Sequence, residues 1–125
     1  MADPTRWTDA KWLQQALVGD GWLSPDSYAN HFAPVTKRSA VYLFSVFNRS
    51  DFSRCLIAYV GMSTNLKTRL SHHDVLPQLS GPDAWVKRWF KPVPQQQLRD
   101  VEWSLIRAFD PPWNIIGRRR GVSLS

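Results

Sequence analysis

The chain has 125 residues, 43% of them hydrophobic and seven of them tryptophan, with a formal net charge of +6 and a pI near 10.0. That length and apolar content suit one compact domain and exclude a disordered polyelectrolyte. No stretch approaches 18 consecutive apolar residues and the N-terminus carries no apolar signal core, so neither a membrane span nor ordinary secretion is indicated and a cytoplasmic protein is expected.

The positive charge is uneven. Residues 1–61 hold six Lys and Arg against five Asp and Glu, whereas residues 62–125 hold ten against five. A basic second half suits a polyanionic partner such as DNA. The single cysteine, Cys55, rules out an internal disulfide and a thiolate zinc cluster, and its apolar neighbours predict a buried, inert thiol.

In chain order, Thr8 is placed to cap a short helix whose apolar side is Trp12, Leu13, Ala16 and Leu17, stopped by Gly19-Asp20-Gly21. A second short helix is predicted from Ser24-Pro25-Asp26 to before Pro34. Residues 1–38 carry no catalytic motif. They read either as a helical N-terminal extension packed on the core through Trp7, Trp12, Trp22, Tyr28 and Phe32, or as an arm that sets specificity.

Ala40 to Phe47 alternates as a strand with Tyr42, Phe44 and Val46 on one face. Asn48-Arg49-Ser50-Asp51 turns the chain into a second strand, Cys55 to Val60, ended by Gly61. A hairpin centred on Ser50/Asp51 sets Tyr42 opposite Tyr59, unless a bulge shifts the registry. Ser63, Thr64 or Asn65 then caps a helix whose apolar arc, Leu66, Leu70 and Leu76, also contains Arg69 and His73. Trp85 to Lys91 alternates as a third strand, confined to an edge by Pro92 and Pro94. A last helix runs from Gln95 through Leu98, Val101, Leu105, Ala108 and Phe109 to Asp110-Pro111-Pro112.

Glu102, the sole glutamate, falls between Phe109 and Ile106 on the wheel of that last helix, inside its apolar arc. A carboxylate in such a place costs several kcal/mol to desolvate unless it is paired or holds a cation. Two readings stand side by side. One is a buried ion pair between Glu102 and Arg69 that joins two helices; the other is a functional site built on both.

The inward set Tyr42, Tyr59, Arg69, His73, Glu102 and Asn114 resembles the GIY-YIG nuclease superfamily over roughly residues 40–116. Ala40-Val41-Tyr42 stands for the first motif and Tyr59-Val60-Gly61 for the second, Arg69 follows ten residues after Tyr59, and the run from Glu102 to Asn114 is similar to the closing motif. The spacing is like that of the nuclease domain of the bacterial excision-repair incision enzyme. Ala40 replaces a glycine of the first motif, and Met62 stands where the repair enzymes commonly carry a lysine. The resemblance implies an α/β (α+β) fold with a small, mostly antiparallel three-stranded sheet flanked by helices, a nuclease core over residues 39–117 and a basic tail over 118–125.

Phosphodiester hydrolysis needs an activated water, charge neutralisation at the phosphate and help for the leaving oxygen. Glu102 as sole protein ligand suits Mg²⁺ or Mn²⁺ and is poor for zinc. Arg69 is expected to fork onto the scissile phosphate. Tyr42 is expected to orient or deprotonate the water, helped either by a nearby cation or by the imidazole of His73 as acceptor for the phenol proton. Tyr59 is assigned to positioning water or phosphate, and Asn114 to tying down the last loop. Lys67, Arg69, Arg118, Arg119 and Arg120 are the expected DNA contacts, the arginine run reading equally as a solvated tail. His72 reads as solvated, and a His-Asn-His nuclease is excluded because no second His or acidic motif has the spacing for its metal.

The expected activity is that of a metal-dependent DNA endonuclease. The alternative is a module on the same fold that binds nucleic acid or inhibits a partner without cutting. A carboxylate that repels phosphate favours the first. Sequence preference is then expected from residues 1–38, the loops, a homodimer or a specificity partner.

Overall fold

The computed structural model describes residues 7–26, 33–73, 75, 77 and 85–114. Arg118, Arg119 and Arg120 lie outside them, as do Tyr28, Phe32 and Leu76. The described chain is α+β. A four-stranded antiparallel sheet in the order β1-β3-β2-β4 is built from β1 (Thr8–Asp9), β2 (Ala40–Phe47), β3 (Arg54–Ser63) and β4 (Trp85–Pro92). Among the described residues it is accompanied by the helices α1 (Ala10–Gly19), α2 (Leu66–Ser71) and α3 (Leu98–Phe109), the last entered through a 3₁₀ turn at Gln95–Gln97. No helix among the described residues is long and apolar enough to cross a membrane.

The fourth strand is the first departure from expectation, since the sequence pattern predicts three. Thr8 does not cap the first helix; it pairs with Cys55 in β1. The cap is Asp9, whose carboxylate accepts the Trp12 N–H at 2.8 Å. The buried side of α1 is Ala10, Leu13 and Leu17, and Trp12 stands 62% exposed rather than packed. Of the expected second helix, Ser24–Asp26 form a bridge and a turn, and 27–32 lie outside the described residues.

Alternation along β2 and β4 divides the core into two layers. On one face α1 and α3 cover Val41, Leu43, Ile57 and Trp89. On the other, α2 and Val75 cover Tyr42, Phe44, Tyr59 and Phe90.

The hairpin registry differs from the predicted one. Tyr42 stands opposite Gly61, and Phe44 opposite Tyr59, while Ser45 faces Ile57. Ala58 is therefore an extra residue, a bulge in β3. Its consequence is parity: without it Tyr59 shares a face with Ile57, and with it Tyr59 joins Tyr42 and Phe44. The bulge, not simple alternation, assembles the tyrosine layer. Gly61 does not end the strand, which continues to Ser63.

Pro92 and Pro94 leave β4 at the edge, as the sequence predicts, and residues 22–26 cover it. Leu23 exchanges both backbone hydrogen bonds with Phe90, at 2.9 and 2.8 Å. Ser24 donates its hydroxyl to the Arg88 carbonyl at 2.7 Å, and Asp26 accepts the Arg88 N–H at 2.9 Å while gripping its guanidinium at 2.9 and 2.7 Å. One carboxylate thus satisfies an exposed strand edge and a half-buried charge.

Partial burial pushes the Asp26 pKa upward, but the hydrogen bonds and charge of Arg88 outweigh it and hold the pKa below the usual carboxylate value. Asp26→Ala is expected to lower stability by about 1–3 kcal/mol. The folded pKa lies below the unfolded one, so the carboxylate's contribution is complete above about pH 4 and disappears as acid protonates the folded form. Denaturant melts of wild type and Asp26→Asn at pH 7 and pH 3 check this: the gap between the two should narrow at the lower pH, and a gap that widens there would contradict the assignment.

Candidate active site

Tyr42, the third residue of the inner strand β2, is fully buried, with its ring laid across the backbone of Gly61 on the neighbouring strand. A Cβ at position 61 would lie 2.5 Å from both Cζ and Oη of Tyr42. The glycine is therefore a cradle for the phenol, a role the sequence reading missed by treating it as a strand terminator. From this seat Tyr42 Oη reaches His73 Nε2 at 2.7 Å.

His73 is 5% exposed although it lies beyond α2, which stops at Ser71 instead of extending through the histidine. Its place comes from packing. The imidazole stands edge-on to Tyr42, Phe44 and Tyr59, with ring centroids 5.3, 4.9 and 5.2 Å away. Its Nδ1 accepts the backbone N–H of Val75 at 3.0 Å.

That bond decides the tautomer. A nitrogen that accepts carries no proton, so in the neutral ring Nε2 does, and it donates to Tyr42 Oη. The sequence expectation of an imidazole acceptor for the tyrosine proton is corrected: His73 is a donor to the phenol oxygen, and a donor favours the phenolate. Val75 contributes through its main chain, which leaves no signature in side-chain type.

Burial pushes the Tyr42 pKa up to about 12, while the Arg69 guanidinium, within hydrogen-bonding reach of the phenol, pulls against the rise. Burial likewise raises the Tyr59 pKa well above that of a free phenol, its neighbour Tyr42 adding to the effect. Both hydroxyls feel Glu102 as a negative charge and Arg69 as a positive one. The Tyr59 hydroxyl is fully buried and has no hydrogen bond of good geometry among the described residues. Such a group costs about 1–3 kcal/mol, which marks a place where water or a ligand oxygen would be welcome.

Arg69 and Glu102 are each half-buried, so Glu102 is not in the middle of a buried helix face. α3 packs through Leu98, Val101, Leu105, Ile106 and Phe109 on the opposite layer of the sheet, and the charge of Glu102 still reaches the tyrosine hydroxyls. Asn114 is buried against the outer edge of β3. Its Oδ1 accepts the Val60 N–H at 2.9 Å and its Nδ2 donates to the Val60 carbonyl at 2.8 Å. The amide imitates a partner strand and ties the end of α3 beside Tyr59. Asp110, in the left-handed region at φ 46°, ends α3 ahead of Pro111 and turns the chain toward this contact.

Tyr42, Tyr59 and His73 are thus brought together, Arg69 lies within hydrogen-bonding reach of the Tyr42 phenol, Glu102 acts on it through its charge alone, and Asn114 is a structural tie. Lys67 is exposed on α2 and His72 is solvated, as expected, the latter with Nδ1 3.3 Å from the Thr68 carbonyl. Met62 packs toward the α1/α3 layer, so a residue at 62 points away from the tyrosines.

A cation at this place would rest on a single carboxylate, that of Glu102. Among the described residues no three His, Cys, Asp or Glu gather, which does not suit zinc, whereas a single half-exposed carboxylate suits Mg²⁺ or Mn²⁺, ions that keep most of their waters. Glu102 is the residue that would hold it. Compared with family models, with curated proteins and with solved structures, the chain matches none.

Proposed function

We propose that the protein is a metal-dependent DNA endonuclease of the GIY-YIG type, hydrolysing phosphodiester bonds at a single Mg-type site. The observation that carries the reading is the Tyr42–His73 hydrogen bond of 2.7 Å, buried, within the electrostatic reach of one guanidinium and one carboxylate from two other helices. A structural core has no use for that combination; transfer of a proton beside a phosphate does.

In the proposed reaction Tyr42, as phenolate, takes a proton from a water whose oxygen forms the new bond to phosphorus. The bond from phosphorus to the leaving oxygen breaks, and that oxygen takes a proton from solvent. His73 Nε2–H and Arg69 stabilise the phenolate, and Arg69 also faces the non-bridging phosphate oxygens. Tyr59 offers its hydroxyl to the water or to the phosphate. A Mg²⁺ or Mn²⁺ ion on Glu102, when bound, supplies positive charge beside the phosphate and the leaving oxygen.

Incubation with supercoiled, linear and branched DNA, with and without Mg²⁺, tests the reading. Nicking that requires the ion is expected; intact substrates with every divalent metal tried would end it. The pH profile is a second check. With the Tyr42 pKa near 12, the phenolate fraction grows about tenfold per pH unit over the neutral range, so the single-turnover rate should climb with a similar slope. A flat profile between pH 6.5 and 8.5 would remove Tyr42 as the base.

A further inference from the structure

The charge split at residue 61 places Lys37 and Arg38 in the nearly neutral half of the sequence, in a segment read as an N-terminal extension. The fold moves them. The Leu66 N–H donates to the Arg38 carbonyl at 3.2 Å and the Lys67 N–H to the Thr36 carbonyl at 3.0 Å, so residues 36–38 strap the start of α2. The strap leads into β2 at Ala40, whose partner Ser63 leads into α2, so strap and helix share one end of the sheet. Tyr42 and Arg69 stand at that end.

Lys37, Arg38 and Lys67 are all exposed there, and among the described residues none of them has an acidic partner. The segment 33–73 contains six Lys and Arg and a single acid, Asp51, which belongs to the hairpin turn at the opposite end of the strands. The length of β2 puts that turn roughly 24 Å away. Asp20 and Asp26 are engaged with Lys91 and Arg88 on β4. The first N–H groups of α2 are already satisfied by Thr36, Arg38 and the Asn65 side chain, so whatever binds here binds to the side-chain cations.

We infer that Lys37 and Arg38 extend the contact made by Lys67 into a ledge that holds the backbone of duplex DNA beside the scissile phosphate. The inference rests on the proposed nuclease reading and identifies the surface that seats its substrate. It also accounts for a second-motif neighbour, Met62, that points away from the site: the cations come from the strap. The strap holds α2 through main-chain carbonyls, so both side chains can change without loosening the fold.

The test is the salt dependence of binding to a duplex oligonucleotide, measured for wild type, Lys37→Ala/Arg38→Ala, Lys37→Gln/Arg38→Gln, and a control with the same charge change at the hairpin end, Lys11→Ala/Arg54→Ala. Each phosphate contact contributes about 0.9 to the slope of log K against log salt for B-form DNA, so both strap variants should lose about 1.8 from its magnitude. The control should keep the wild-type slope, and all four should melt alike. A steep wild-type slope that the strap variants retain, or that the control loses equally, overturns the ledge and leaves the nuclease reading standing. A wild-type chain that does not bind the duplex overturns both.

Discussion

Glu102→Gln should cut DNA at least several hundredfold more slowly than wild type, on the order of 4 kcal/mol of transition-state stabilisation, by comparison with removal of one strong electrostatic group from an active site. The change keeps size and part of the hydrogen bonding while removing the charge that would hold the metal. DNA binding should persist or tighten, because one negative charge near the phosphate is gone. Glu102 and Arg69 are both half-buried, so an ion pair between them is screened, and its loss accounts for about 1 kcal/mol or less. The melting temperature should therefore change little, while any rise that Mg²⁺ gives the wild type should vanish. Nicking assays and thermal melts with and without Mg²⁺ decide it: a variant that cuts at the wild-type rate would leave the metal role unsupported, and a large fall in stability would favour a structural ion pair.

Gly61→Ala is expected to damage both stability and activity, against the ordinary tendency of alanine to stabilise a strand relative to glycine. The new methyl would lie 2.5 Å from Tyr42 Cζ and Oη and 2.9 Å from Cε2. These atoms belong to a rigid, fully buried ring, so either the phenol or the strand moves. Overpacking of this kind costs about 1–3 kcal/mol. Displacing Oη also breaks its 2.7 Å bond to His73, and cutting is expected to fall by about a hundredfold or more, roughly 2.7 kcal/mol. Gly19→Ala is the control, since a Cβ there meets no atom within 4 Å. Stability and single-turnover cutting measured on both variants give the answer; a Gly61→Ala protein as stable and active as wild type would show that the cradle does not position Tyr42.

Most of the elements were legible in the sequence because their signals are local; β1, two residues long and defined only by its pairing with β3, was not. Alternation marked β2 and β4, turn residues and Asn65 marked the start of α2, and prolines marked the edge strand and the end of α3. Tyr42, Tyr59 and Arg69 stood out as polar groups inside apolar patterns, whereas the wheels misplaced His73, which lies beyond α2, and Glu102, which is half-buried.

What the tertiary structure decided are the relations between elements. A single extra residue, Ala58, reverses side-chain parity in β3, and no local pattern announces which residue will bulge, because the choice depends on how both layers of the core fill. The proton on His73 is directed by a main-chain N–H two residues on, a group every residue but proline carries, so side-chain identity says nothing about it. The charge of Glu102 is felt at the tyrosine hydroxyls from a helix packed on the other layer. Lys37 and Arg38 come beside Lys67 through two backbone hydrogen bonds, Leu66 N–H to the Arg38 carbonyl and Lys67 N–H to the Thr36 carbonyl, between segments far apart in sequence. Periodicity reports which side of its own element a residue occupies; which sides meet is set by registry and packing, and those are settled when the whole chain closes on its core.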